Sequence, residues 1–361
     1  MPSEEFILSE FILSKEPMRK YLKDLFGEDI SINEIIPLGA GCHGSGFLID
    51  FNRGGKREKL VAKILEGGIG LGHDHFSDRA QVLLWQNDTF NKIPRHIKAI
   101  DVGGIAEDEI ISIGKAKEFF LLMEEAKGKD YFHDLENLRK KEYPDDLDLA
   151  RVKLLVEYLA ELHSEKFDSK VLYWRKIRDT IGHGECLMGV LDTYPDVDFT
   201  NYEEMAEIEK KCIEWRAKLK PKYKRLCRIH GDFHPGNIWF TSDREFTILD
   251  RSRGEYGDAA DDITAFTTNY IFYSITTHGK LKNPYEKLLS LFYDYYIELT
   301  GDHEIFSVVA PFYAFRGVVV ASPIFYPDIT EEHRRKLFNF VHGVLDSEEF
   351  SIKEINSYIK R

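Results

Sequence analysis

Residues 230–240 read HGDFHPGNIWF and bring His230, Asp232, His234 and Asn237 into one short stretch. Three readings fit such residues at such spacing. His-x-Asp-x-His offers nitrogen and oxygen ligands of the kind zinc and iron take. An aspartate followed five residues later by an asparagine matches a phosphoryl-transfer loop. There the aspartate meets the acceptor hydroxyl and the asparagine holds Mg²⁺. A polar turn cornered at Pro235-Gly236 needs no chemistry. The stretch alone leaves all three open.

Other residues weigh the choice. LGAGCHGSGF at 38–47 contains Gly39-x-Gly41-x-x-Gly44. A dinucleotide fold needs a helix after such glycines and an acidic residue about 20 positions on. Here the apolar run FLIDF follows, then a turn and LVAKIL, which is strand–turn–strand. A glycine-rich hairpin over phosphates fits that order better, with backbone amides at Gly39, Gly41 and Gly44 as donors and the Ser45 hydroxyl beside them. An ordinary hairpin turn is the plainer alternative. Lys63 has apolar neighbours on both sides in VAKIL, and its ammonium needs a partner if buried. Kinase-type sites place such a lysine on the α- and β-phosphates; a solvent-facing edge lysine is the other reading. Asp250 ends the apolar run FTILD, thirteen residues after Asn237, where a second Mg²⁺ ligand belongs. Glycine turn, lysine, Asp-x-x-x-x-Asn and strand-end Asp in one order favour phosphoryl transfer over a zinc site. His234 then orients the loop.

The elements that must position these residues are legible in outline. Met18, Tyr21, Leu22, Leu25 and Phe26 recur at helical spacing before Gly27. INEIIPLG, GFLIDF and LVAKIL read as strands, 76–87 as a helix, and RHIKAIDV after Pro94 and KEFFLLMEEA at 117–126 as strands. Beyond about residue 128 the chain reads as helical. The clearest stripe is Leu149, Val152, Leu155, Val156, Leu159 and Leu162, and a polar helix is expected to run to residue 361. The expected organisation is α+β: an N-terminal helical extension over 1–31, a strand-rich part over 32–126 and a helical part over 127–361.

Bulk properties exclude some functions. The 361 residues carry 49 Lys plus Arg against 62 Asp plus Glu, a net charge of −13, which argues against a nucleic-acid binder built on phosphate contacts. The same charge tilts the choice of ligand towards a cation. Cys42, Cys186, Cys212 and Cys227 form no Cys-x-x-Cys pair, which suits a reduced, cytoplasmic setting. No apolar run reaches the roughly 18 residues a membrane helix needs. FILS at 6–9 and 11–14 has acidic flanks and no basic segment before it, unlike a signal peptide.

With these residues in place, the chain resembles the aminoglycoside phosphotransferase and choline kinase group of the protein-kinase-like fold. HGDFHPGNIWF looks like that group's catalytic loop, ILD its metal strand and GDAADDI at 257–263 the segment that follows. LAELHS at 159–164 resembles the helix end before the loop, and LLMEEAKGKDYF at 121–132 the hinge into the second lobe. The resemblance covers roughly residues 32 to 265. It implies a bilobal fold and transfer of phosphate from ATP, or GTP in its place, with Mg²⁺. Asp232 would accept or orient the hydroxyl proton, Asn237 and Asp250 would hold Mg²⁺, Lys63 would steady the phosphates, and backbone groups of Glu124 and Ala126 would meet the adenine edge.

The chain departs from that pattern in three places. RSRGEYGD follows Asp250, with Arg251 at a position usually aromatic or small. Arg253 is expected to pair with Asp258 or Asp262, with a phosphate contact as the alternative. The helix at 76–87 has no clear glutamate for Lys63; Asp78 is the candidate partner and Gln81 the substitute. GGIGLGHDH at 67–75 is an unusual insertion, expected as a surface loop more than a metal site at His73, Asp74 and His75.

A protein kinase is the nearest rival, and a non-catalytic nucleotide-binding protein the rival of another class. Protein kinases carry a lysine where His234 stands and a long segment ending in Ala-Pro-Glu, for which there is no room here. The expected acceptor is therefore a small hydroxylated compound. Glu255, Asp258 and Asp261 could draw an amine-bearing one or form a solvated face. Tyr270, Phe272, Tyr273, Phe312, Tyr313, Phe315, Phe325 and Tyr326 lie in the expected acceptor region, most of them as core.

Overall fold

A computed structural model describes residues 13–41, 44–65, 75–91, 97–106, 109–114, 125–251 and 253–360. The chain forms two compact units, Met1–Met123 and Glu124–Arg361. Strands dominate the first and helices the second, the expected α+β division.

The first unit opens with α1 (Lys15–Phe26), stopped by Gly27 in the left-handed region. An antiparallel sheet of β1 (Ile30–Gly41), β2 (Gly44–Arg53) and β3 (Lys56–Leu65) follows in the order β1-β2-β3. Gly54 and Gly55 turn β2 into β3 with φ of 52° and 79°, the positive values a two-residue hairpin turn demands. Side chains alternate along β3: Leu60, Ala62 and Ile64 face the core, whereas Val61 and Lys63 are exposed. Leu13, Met18 and Leu22 share that core with Ile30, Ile49 and Phe51, so α1 packs on the sheet. Next come α2 (Phe76–Phe90) and a hairpin of β4 (Gly103–Ile105) and β5 (Ile110–Ser112). The first residues of the strand expected from Pro94, up to His96, lie outside the described residues. Residues 97–102 have no regular structure, and Ile97 and Ile100 are exposed. Most of the strand expected at 117–126, Glu124 included, lies outside the described residues; Glu125 and Ala126 are irregular.

The second unit contains β6 (Lys129–Asp130), α3 (Phe132–Leu138), α4 (Asp146–Ser164), α5 (Lys170–Gly182), α6 (Leu187–Leu191) and α7 (Tyr202–Leu219). It continues with β7 (Cys227–Arg228), β8 (Ile238–Phe240), β9 (Phe246–Ile248), β10 (Tyr256–Gly257) and α8 (Ala259–His278). The last elements are α9 (Tyr285–Thr300), α10 (Ala310–Ala321), α11 (Glu331–Asp346) and α12 (Ile355–Ile359). Every residue of α8 from Ala259 to Ile275 is buried, so this helix is the axis of the unit, with α9 and α10 packed on it. The helix is not apolar all round, and its two acids are buried because each is bonded, Asp261 to Arg316 and Asp262 to His163 and the backbone of His230 and Gly231. The polar helix expected at the C-terminus is instead a short turn and α12, and Ile355, Tyr358 and Ile359 are buried. Their i, i+3, i+4 spacing makes that segment amphipathic.

Two small sheets frame the loop 229–237: β7 pairs with β10, and β8 joins β6 to β9. Among the described residues no helix is long and apolar enough to cross a membrane.

Candidate active site

The chain leaves β7 through Ile229 and bends at Gly231, whose φ of 86° favours glycine. A side chain there would also bring its Cβ to 3.3 Å from that of Arg253. One buried carboxylate clamps the bend. Asp262 accepts the backbone N–H of His230 at 2.7 Å, that of Gly231 at 2.7 Å, and His163 Nε2 at 3.1 Å. With Nε2 donating, His163 Nδ1 accepts from the Tyr296 hydroxyl at 2.9 Å. Burial alone would raise the Asp262 pKa, but the bonds from His163 and His230 outweigh it and hold the group below its ordinary value.

Both nitrogens of His230 are committed. Nδ1 accepts from the Asp232 backbone N–H at 3.2 Å, which leaves Nε2 protonated and donating to the Leu249 carbonyl at 2.8 Å. His234 Nδ1 accepts from the Gly236 N–H at 3.1 Å, and Nε2 lies 4.0 Å from Asp232 Oδ2. The histidines thus shape the turn, with His234 capping the short 3₁₀ turn Pro235–Asn237. Burial keeps the His234 pKa below its usual value despite the attraction of Asp232.

Asn237 Nδ2 donates to the Asp232 carbonyl at 3.0 Å, and Oδ1 accepts nothing among the described residues. Its backbone carbonyl takes the Leu249 N–H at 2.9 Å, and Ile238 pairs with Ile248. Asn237 and Asp250 therefore sit at the same end of the β8–β9 hairpin. Asp250 is exposed, with φ of 56°. An amide oxygen and a carboxylate are hard donors that suit Mg²⁺, which keeps much of its own water. No group of three or more His, Cys, Asp or Glu among the described residues is arranged to hold a metal.

Asp232 is nearly buried. Arg316 Nη1 donates to its Oδ1 at 2.5 Å, and Arg316 Nη2 reaches Asp261 Oδ1 at 2.8 Å and the Gly231 carbonyl at 3.1 Å. Burial would raise the Asp232 pKa, but Arg316, then Arg253 and His234, prevail and lower it. Oδ2 accepts no hydrogen bond among the described residues.

The arginines after β9 differ from expectation. Arg251 ties the carbonyls of Ile229 and Glu255 through bonds of 2.9–3.1 Å. Arg253 pairs with neither Asp258 nor Asp262. Its nearest carboxylate is Asp232, at 3.6 Å. Asp258 is taken by Arg225 at 3.0 Å, the Tyr173 hydroxyl at 2.9 Å and the N-terminus of α8, and Asp262 by the loop. Asp258 and Asp261 are buried in ion pairs and so form neither an amine-attracting mouth nor a solvated face, the two readings left open for them, whereas Glu255 is exposed and pairs with Arg228 at 2.9 Å.

A cavity of about 200 Å³ opens beside Asp232, His234, Arg253 and Arg316. Thr268 and Asn269 of α8 also line it, as do Phe325 and Tyr326. Tyr270, Phe272, Tyr273, Phe312, Tyr313 and Phe315 are buried core. Arg316, Thr268 and Asn269 escape a reading by local motifs. The signal for Arg316 was there, a lone cation in the apolar helix APFYAFRGVVVA, which must find a counter-charge when buried.

In the first unit, Gly39 pairs with Gly46, Ala40 with Ser45 and Gly41 with Gly44 at the β1–β2 turn. Lys63 lies opposite Gly46, exposed and without an ion pair among the described residues. Asp78 accepts the His75 N–H at 2.9 Å, and Gln81 is exposed. His73 and Asp74 lie outside the described residues.

A family model described as a phosphotransferase enzyme family matches residues 91–278. Among the curated proteins none matches this chain. Among solved structures, a choline kinase from Cryptosporidium parvum is 14% identical, with 92% of this chain and 86% of that one covered and a TM-score of 0.33. A thermostable aminoglycoside phosphotransferase mutant in ternary complex with AMP-PNP and hygromycin B is 15% identical, covering 91% and 97%, with a TM-score of 0.39. An ethanolamine kinase from Plasmodium vivax is 13% identical, covering 90% and 80%, with a TM-score of 0.32.

Proposed function

The chain belongs to the phosphotransferase enzyme family, and on that premise we propose that it transfers the γ-phosphoryl group of ATP, with Mg²⁺, to a hydroxyl of a compact small molecule. One observation carries this reading: Asp232 keeps Oδ2 free on a cavity, while Asn237 and Asp250 offer oxygens at one end of the β8–β9 hairpin.

Asp232 takes the hydrogen bond of the acceptor hydroxyl and fixes its direction of attack. Arg316, by holding Oδ1, sets the carboxylate plane. Asn237 and Asp250 hold Mg²⁺, which when bound neutralises charge on the phosphates. Gly39, Gly41, Gly44, Ser45 and Lys63 serve the phosphates of ATP, or of GTP in its place, and the backbone at Glu124 and Ala126 serves the base. The nucleotide part is 32–126 and the acceptor part 127–361. Only seven residues, RSRGEYG, separate Asp250 from Asp258, which leaves little platform for an extended peptide and favours a small acceptor.

ADP release and labelled-phosphate transfer test this, with ATP and Mg²⁺ across sugars, polyols, hydroxy acids, amino alcohols, nucleosides and a generic protein. Transfer to a small hydroxyl compound is expected. Labelling of unrelated proteins with no small acceptor would overturn the reading.

A further inference from the structure

We propose that the acceptor is a compact hydroxy acid whose carboxylate is held by Arg253 while its hydroxyl meets Asp232. This deepens the phosphotransferase reading and rests on it. The two guanidiniums on the cavity are in different states. Arg316 has spent its terminal nitrogens, Nη1 on Asp232 and Nη2 on Asp261 and the Gly231 carbonyl. Arg253 has no carboxylate within hydrogen-bond reach, since Asp232 stands at 3.6 Å. Its Nε and Nη1 are buried and make no hydrogen bond among the described residues, Nη1 being the atom that stands 3.6 Å from Asp232 Oδ1. Yet the residue is pinned: the Lys176 ammonium donates to its carbonyl, and its guanidinium lies 5.1 Å from the Phe315 ring centre. A planar donor held in this way can meet a carboxylate along an edge that includes Nη2, paired with either Nη1 or Nε, where two parallel hydrogen bonds are possible.

The rest of the lining agrees. Asn269 spends its Nδ2 on the Ala265 carbonyl at 2.9 Å, so only its oxygen remains, and that oxygen and Thr268 Oγ1 are buried without a partner. Both can accept further hydroxyls of the same ligand. Asp232 is the only buried acid on the lining; Glu185 is exposed, and its charge is screened by water. An ammonium group would therefore meet two guanidiniums and one carboxylate already paired to Arg316. A volume of about 200 Å³ is also below the roughly 300–1,000 Å³ of sites for drug-sized ligands, so a short chain or a single ring fits and a multi-ring polycation does not.

In the transfer, the acceptor oxygen forms a bond to the γ-phosphorus. The bond from that phosphorus to the β–γ bridging oxygen breaks, and ADP leaves with the electron pair. The hydroxyl proton passes to Asp232 Oδ2 and then to solvent, and the carboxylate is unchanged.

Two matched series test this: D-gluconate, D-glucitol and 1-amino-1-deoxy-D-glucitol, and D-glycerate, glycerol and 3-aminopropane-1,2-diol. Within each, the compounds differ only at a terminal carbon. With ATP and Mg²⁺, kcat/KM is expected to favour the acid over its neutral partner by about 10- to 100-fold in at least one series. Arg253→Met should bring that ratio to about one, chiefly through the KM of the acid, and Arg253→Lys should restore part of it. Equal or better transfer to the neutral or amino compounds would overturn the hydroxy-acid assignment while leaving the phosphotransferase reading intact. So would an unchanged ratio with kcat lowered equally for all acceptors, since Arg253 would then serve the transferred phosphate. No transfer to any acceptor of the six, or of the wider panel, would remove both readings together.

Discussion

The loop 229–237 of the second unit and the glycine hairpin of the first are built on opposite terms. In the loop, backbone and side chains are tied many times over. Asp262, His163, His230, Asn237 and Arg316 each fix a neighbour, and Asp232 has one free oxygen left. On the hairpin, Lys63 is exposed beside a glycine and tied to nothing among the described residues. A site that must aim a proton acceptor to a fraction of an ångström needs the first arrangement. A cation that meets a flexible triphosphate can stay mobile and solvated until the ligand arrives.

The sharpest test of this contrast is Asp232→Asn. It keeps the shape and removes the charge, so kcat should fall about 10²- to 10⁴-fold while thermal-shift binding of ATP with Mg²⁺ is retained. A fall of less than tenfold would remove Asp232 from the chemistry. Next is Asp262→Ala, which strips three donors of their acceptor inside the unit and should cost about 3–5 kcal/mol in urea denaturation. A loss below about 1 kcal/mol would show that the loop does not depend on this clamp. Lys63→Ala should do the reverse, lowering turnover about 10- to 100-fold through lost phosphate contacts. Its stability should stay within about 0.5 kcal/mol of wild type, as for an exposed side chain. A large stability loss instead would mean that Lys63 is structurally committed.

The smallest effect concerns pH. Burial lowers the His234 pKa, so the folded protein binds fewer protons there than the unfolded chain does. That contribution is present above about pH 6.5 and fades as pH falls towards the lowered value. The carboxylate of Asp232 has the same sign further down: its share is kept above about pH 4 and lost as pH falls through its own lowered value. His234→Gln should therefore reduce the difference in urea midpoint between pH 7 and pH 5.5. An unchanged difference would show that His234 titrates alike in both states.

What the sequence made legible follows the reach of its patterns. Asp232, Asn237 and Asp250 stand out because their geometry is local, five and thirteen residues apart on a loop and a hairpin. β1, β2 and β3 are readable for the same reason, since each pairs with its sequence neighbour. Arg316 acts on a residue 84 positions earlier, and no periodicity encodes which carboxylate a buried arginine meets. Arg253 was misassigned because Asp258 and Asp262 are closer in sequence than Asp232, whereas Arg225 and His163 reach them first in space.

The tie between Arg316 and Asp232 also has a meaning in time. Chains are made from the N-terminus at about 5–20 residues per second, so the 84 residues between these two represent roughly 4–17 s of synthesis. During that interval the loop is complete in sequence but lacks its counter-charge, and its carboxylate must stay in water. We therefore expect ribosome-bound chains whose emerged part ends near residue 305 to be cut by protease near 230–237, and released full-length chains, with α10 and α11 free to pack, to resist. Equal resistance at both lengths would mean that the loop closes before its arginine is made.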